Sequence, residues 1–254
     1  MKTIFLTKRK LALILAGLIL LVLFGIFGIS KGAVQTVAQK RLLPIYCVDT
    51  EEKCIALTFD AAWGNEDTQE LIDTLKKYDA KATFFLVGSW VDKYPESVKA
   101  LSDAGHSIQN HSNTHPNLPE LSQEGMETEI KLCNEKIRKI TNKTPLLLRP
   151  PYGDYCNSLI ETTNKLGMYT IQWDVDSLDW KDLSAEEIYN RVTKNAENGS
   201  IVLFHNAALN TPEALGKILE TLKKEGYKFV TVEELIYKTD YTIDHTGKQF
   251  KAQT

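Results

Sequence analysis

The sequence has no Cys-x-x-Cys pair, which excludes a structural zinc site built on that spacing. It has no internal repeat and no low-complexity tract, so repeat arrays and compositionally biased disorder are set aside. Acidic residues are missing from the first 30 positions, which carry Lys2, Lys8, Arg9 and Lys10. Charge of either sign is missing from the nineteen residues Leu11 to Ile29, "LALILAGLILLVLFGIFGI". A run of that length spans a bilayer. It also exceeds the roughly 7–15 apolar residues of a cleaved signal peptide, and "SKGAVQTVAQK" offers only a poor cleavage site after it. The expectation is an uncleaved transmembrane anchor over 11–29. The basic flank 1–10 would then lie in the cytoplasm and the rest of the chain outside the cell membrane.

The 254 residues suffice for one large α/β domain, and 43% hydrophobic with 25% charged residues is an ordinary globular composition. Beyond the N-terminal 30 residues, 26 basic side chains face 33 acidic ones, a formal charge of −7. Such an acidic exterior domain argues against a nucleic-acid partner. The four cysteines, Cys47, Cys54, Cys133 and Cys156, all belong to this part. They admit two disulfides in three pairings, or serve reduced as small hydrophobes. Nothing in the sequence assigns an oligomeric state.

Residues 31–52 read as a stalk and lead-in segment, 53–238 as the folded domain, and the polar residues 239–254 as a mobile tail. Within the domain, short apolar runs over 54–59, 82–88, 106–110, 145–149, 168–175, 200–205 and 227–231 predict buried strands. Amphipathic stretches over 66–78, 95–105, 122–141, 158–167, 184–195 and 211–226 predict the helices between them. Ser184 with Glu187 marks a helix start, and Gly105, Gly167 and Gly226 follow last turns. Strand–helix alternation implies a parallel sheet, and about seven units imply a distorted (β/α) barrel, closed or nearly so. Its chemistry would sit at the C-terminal ends of the strands.

Five polar clusters fall at such ends. Asp60 closes the run Ile55–Phe59, where it can cap the next helix or work as a carboxylate. His111-Ser-Asn-Thr-His115 places two imidazoles within reach of one cation, but on a loop, with Ser112 where a helical HExxH site has its glutamate. Arg149-Pro-Pro-Tyr-Gly153 offers a cation that would hold a neighbouring carboxylate ionised, beside a stretch stiffened by two prolines. "WDVDSLDW" supplies Asp174, Asp176, Asp179 and Trp180, either a solvated loop or groups that orient a histidine. "IVLFH" supplies that histidine, His205, at the end of a run where a core histidine is the bland alternative.

In this order, TFD, HSNTH, RPPYG, DSLDW and IVLFH resemble the five motifs of the polysaccharide deacetylases, carbohydrate esterase family 4, over residues 53 to 237. "TFDAAWGNEDT" and the N-terminal run make the chain most similar to the sporulation-associated PdaB branch of that family. The resemblance implies a NodB-like domain that removes N-acetyl groups from amino sugars of peptidoglycan, or of spore cortex in that branch. It implies a divalent metal ion, zinc above all, on His111 and His115. Asp60 would be the general base beside Arg149, and His205 the general acid supported by Asp179. The Tyr152 N–H would face the oxyanion, and Trp63 and Trp180 would wall the sugar groove unless they are core.

One position departs from the pattern. The family has a second acid directly after the base, as third protein ligand, and here that residue is Ala61. Two imidazoles alone make a weaker and less selective site. Asn65, Glu66 and Asp176 are the nearby candidates to replace the missing ligand. Two readings follow: a deacetylase with a loosely held metal, or a barrel that has kept its groove, lost the chemistry and binds cell-wall glycan or a partner. A glycosidase using two of Asp60, Asp174, Asp176 and Asp179 is the third, but it leaves the paired histidines without a role.

Overall fold

A computed structural model describes residues 7–30 and 40–252, with side chains described for 7–22 and 40–252. Of the basic flank, residues 1–6 with Lys2, and of the stalk, residues 31–39, lie outside the described residues. The chain divides into two units, Met1–Lys40 and Arg41–Thr254. In the first, helix α1 spans Lys8–Ser30 and covers the stretch expected as an anchor. Among the described residues no helix is long and apolar enough to cross a membrane.

The second unit is built on β1 (Cys47–Val48), β2 (Cys54–Ala61), β3 (Ala82–Leu86), β4 (Ser107–Asn110), β5 (Leu147–Leu148), β6 (Tyr169–Thr170), β7 (Val175–Asp176), β8 (Ile201–His205), β9 (Lys228–Phe229), β10 (Tyr241–Ile243) and β11 (Lys248–Lys251). Its helices are α2 (Thr68–Lys77), α3 (Gly88–Lys93), α4 (Pro95–Asp103), α5 (Gln123–Thr141), α6 (Asn157–Lys165), α7 (Ala185–Asn195), α8 (Thr211–Lys224) and α9 (Val232–Leu235). The main sheet runs in the order β6-β5-β4-β3-β2-β8-β7, with β9 also pairing β2, and every pair in it is parallel.

The apolar run 168–175, expected as one strand, is split. Its halves, β6 and β7, occupy the two edges of the sheet, and residues 171–174 cross the gap between them. The sheet therefore curls almost into a ring, and its seam is spanned by the chain rather than by a ladder of hydrogen bonds. β2, central and buried on both faces, carries two cores. Leu57, Phe59 and Ala61 face the helices, where Phe59 stacks between Phe84 at 4.9 Å and Phe204 at 5.3 Å. Ala56 packs with Phe85, Leu147, Ile171 and Ile201 in the interior of the curl.

The six expected helices are present, and Ser184 and Glu187 close the α7 capping box. Of the stretch 239–254 expected as a mobile tail from its polarity, the described residues 239–252 are built into the fold. β11 pairs with β10 and with β1, and Gln249, fully buried, exchanges both amide hydrogen bonds with the main chain of Tyr237. The lead-in segment likewise enters the fold, since Ile45 and Val48 are buried and Ile45 bridges Ile171. All four cysteines are reduced, with Cys54 and Cys133 buried.

Candidate active site

Parallel pairing brings the site together. β2 and β8 are neighbours in a register that sets Asp60 directly beside His205. β4 ends at the HSNTH loop and β5 at RPPYG, so both lie on the same rim.

Asp60 is almost fully buried and Arg149 completely so. Arg149 Nη1 donates to Asp60 Oδ1 and to Thr58 Oγ1, both at 2.8 Å, and Nη2 donates to the Gln172 carbonyl at 3.0 Å. The guanidinium carbon lies 4.2 Å from the Phe85 ring centre and 5.5 Å from that of Trp173. Burial pushes the Asp60 pKa up. The charge of Arg149, then His111 and His205, and the Arg149 hydrogen bond outweigh it, and Asp60 is held below the usual carboxylate range.

His205 has the opposite bias. Its Nδ1 and main-chain N–H meet the two oxygens of Asp179, each at 2.8 Å, and Thr211 Oγ1 donates to the same carboxylate at 2.7 Å. Burial pulls the imidazole down, but the hydrogen bond and charge of Asp179, with Asp60 and Asp176, raise its pKa above 6.5. The site thus holds a carboxylate biased towards ionisation next to an imidazole biased towards protonation.

His111 Nδ1 lies 2.7 Å from the Arg149 carbonyl, so Nδ1 carries the proton and Nε2, 3.6 Å from Asp60 Oδ2, keeps its lone pair. His115 stands edge-on to His111, with ring centres 4.9 Å apart. Burial lowers both pKa values, and that of His115 falls to about 4 with His111 contributing. Two neutral imidazoles are therefore presented as ligands would be. The third ligand of the family pattern is absent, because Ala61 has no donor atom and is packed into the core. Asn65 donates instead to Ser97 Oγ. Among the described residues, no three His, Cys, Asp or Glu side chains are placed to hold an ion together. The residues present do not fit the three-ligand metal site that the resemblance implied.

A pocket of about 440 Å³ opens over these groups, and Asp60, His111, His115, Tyr152 and His205 reach it. Trp63 and Trp180 line it and are 63% and 55% exposed, which removes the core alternative for both. Arg149 and Asp179 stand behind the pocket and touch it through their partners. Asp174 is outside it, where it accepts from Ser200 Oγ and the Ile201 N–H at 2.7 Å each. Tyr152 and His115 have left-handed backbones, φ 62° in both. Gln172 Nε2 donates to the Gly153 carbonyl at 2.7 Å and ties the RPPYG turn to the seam.

Gln172 and one more supporting residue escaped the sequence reading. Glu129 on α5 accepts from the N–H groups of Asn113 and Thr114 at 2.9 and 2.8 Å and from Thr114 Oγ1 at 3.0 Å, clamping the loop between the histidines. It sits in the middle of an amphipathic helix, with no local pattern to mark it.

The polysaccharide deacetylase family model matches residues 48–171. The chain is 41% identical over 194 residues to a peptidoglycan-N-acetylglucosamine deacetylase of Bacillus cereus, covering 74% of this chain and 91% of that one. It is 36% identical over 202 residues to the peptidoglycan-N-acetylmuramic acid deacetylase PdaA of Bacillus subtilis, covering 78% and 77%. Among solved structures, a family 4 carbohydrate esterase pseudoenzyme from Bacillus anthracis superposes with a TM-score of 0.74 at 36% identity, over 78% of this chain and 70% of that one. A mutant of that pseudoenzyme with restored enzymatic activity matches equally well. The chain belongs to the polysaccharide deacetylase family.

Proposed function

We propose that this protein hydrolyses the N-acetyl group of amino sugars in peptidoglycan glycan strands. The observation that carries this reading is the side-by-side placement of Asp60 and His205 over one pocket, each held in its working protonation state by a partner behind it. Asp60 takes a proton from water, whose oxygen attacks the acetamide carbon. The oxyanion is stabilised by the Tyr152 N–H. As the C–N bond breaks, His205 delivers its proton to the nitrogen, and acetate and a free amine leave. The proton on Asp60 returns to His205 through solvent. No step is assigned to a metal, and any zinc or other divalent ion bound at His111 and His115 would be held without the family's third protein ligand.

The apolar stretch 11–29 supports placing the protein as a single-pass anchor in the cell membrane with the domain on the outer side, where peptidoglycan lies. The spore envelope is the corresponding site for the PdaB-like reading. Acetate release from peptidoglycan or N-acetylglucosamine oligomers is expected from the wild type and should disappear in both Asp60→Asn and His205→Ala. Equal release by those variants would sink the reading.

Ala61 and the similarity to a pseudoenzyme favour one alternative, a glycan-binding protein without activity. Acetate release, read together with metal content, separates the two. Stoichiometric metal in wild type, lost in His111→Ala, marks a working site. Metal bound only in Ala61→Asp marks a disabled one.

A further inference from the structure

Most charges around the pocket cancel. Arg149 neutralises Asp60, and Asp179 is at best neutralised by a protonated His205. His111 and His115 bring no negative charge. What remains is Asp176, at the end of β7, whose side chain reaches the same pocket. Its Oδ1 accepts the Leu178 N–H at 2.9 Å, which fixes the carboxylate in place. Arg191 sends its Nε to the main-chain carbonyl of Asp176 at 3.0 Å. No lysine or arginine lines the pocket. The cavity that receives the sugar therefore carries one fixed, excess negative charge.

In glycan freed of its stem peptides, the two acetylated sugars of peptidoglycan differ in charge near the reacting group. N-acetylglucosamine has a hydroxyl on C3, whereas N-acetylmuramic acid has a lactyl ether there, on the carbon next to the acetamide-bearing C2, and the lactyl carboxylate is free and charged where no stem peptide is attached to it. We propose that Asp176 is a specificity-determining residue that makes this pocket accept N-acetylglucosamine and discriminate against peptide-free N-acetylmuramic acid by like-charge repulsion. The inference rests on the pocket being the sugar site assigned above. A carboxylate pair several ångströms apart in a half-open cavity costs about five- to tenfold in affinity.

The test is a calorimetric titration of the full chain at low salt and pH 7, with a chelator present so that no adventitious cation offsets the charge. The probes are an N-acetylglucosamine tetramer, a muramic-acid-containing disaccharide, and the methyl ester of that disaccharide. The ester should bind about five- to tenfold more tightly than the free acid, and the gap should shrink as salt is raised. Asp176→Asn keeps an oxygen for the Leu178 N–H and should bring the ratio to about one. Equal binding of acid and ester by wild type would overturn the proposal without needing any variant, and so would an unchanged ratio in Asp176→Asn. Glycans that bind without discrimination remove the role of Asp176 alone. Failure of every probe to bind removes the glycan reading of the pocket as well.

Discussion

Arg149 is the largest fully buried side chain of the described residues and the most expensive to disturb. Its charge is tolerated because Asp60 lies 2.8 Å away, two aromatic rings flank the guanidinium, and three acceptors take its Nη hydrogens. Removing one member of such a pair leaves the other buried and uncompensated, at a cost of about 3–5 kcal/mol. Arg149→Leu should lower the unfolding free energy by that amount in a denaturant titration, whereas Asp60→Asn, which keeps an oxygen acceptor, should cost less and still abolish turnover. Asp179 works through His205. A histidine with a raised folded-state pKa adds stability that is fully present below about pH 6.5, its unfolded value, and is lost as pH rises through the folded value. The protonated, active fraction of the acid falls over the same upper range. Asp179→Asn should reduce kcat about 100-fold and move the alkaline limb of the pH–rate profile to lower pH. An unmoved limb would deny Asp179 its positioning role.

At the level of elements, the site depends on the ends of four strands, β2, β4, β5 and β8, and on one helix, α5. Ser112 and His115 both have left-handed backbones, at φ 67° and 62°, and the loop between them is pinned by Glu129 of α5. Glu129→Ala should speed amide exchange at Asn113 and Thr114 and depress activity, with only a small shift in Tm, and Glu129→Gln should recover part of the loss. Most strands that carry the motifs were legible in the sequence because each is an apolar run ending in a polar cluster, whereas β4, Ser-Ile-Gln-Asn, was marked by the turn signals around it. Asp60, His111, His115 and His205 were legible for the same reason. The division of 168–175 into two edge strands was not, because a run of apolar residues does not reveal which rung of which sheet its halves will join. Glu129 and Gln172 were invisible, since a side chain that braces a distant loop obeys tertiary geometry and leaves no local periodicity. The terminal strands β10 and β11 were hidden by their polarity: two short strands on a small sheet need few apolar residues.

For the molecule as a whole, the C-terminus closes the structure that the lead-in segment opens. β1 and β11 pair across the length of the domain, in parallel, through Cys47 with Lys248 and Val48 with Gln249. Deleting residues 239–254 removes that pairing and leaves the Tyr237 main chain without its Gln249 partners. The deletion should lower Tm by about 5 °C or more, on the scale of 2–4 °C per kcal/mol for a domain of this size. An unchanged Tm would return these residues to the status of a tail.

The register of β2 against β8 also reaches beyond this one pocket. Asp60 and His205 stand on the same rung of adjoining strands, so the gap between their backbones is a strand spacing, about 4.8 Å, set by main-chain hydrogen bonds. It works as a caliper that no loop can open or close. The loops over 62–67, 111–117, 150–154 and 177–183 can then diverge in length and charge while the proposed proton acceptor and proton donor stay at one fixed setting. With Ala61 beside that caliper, the chain is a single side chain away from the three-ligand set that the resemblance implied.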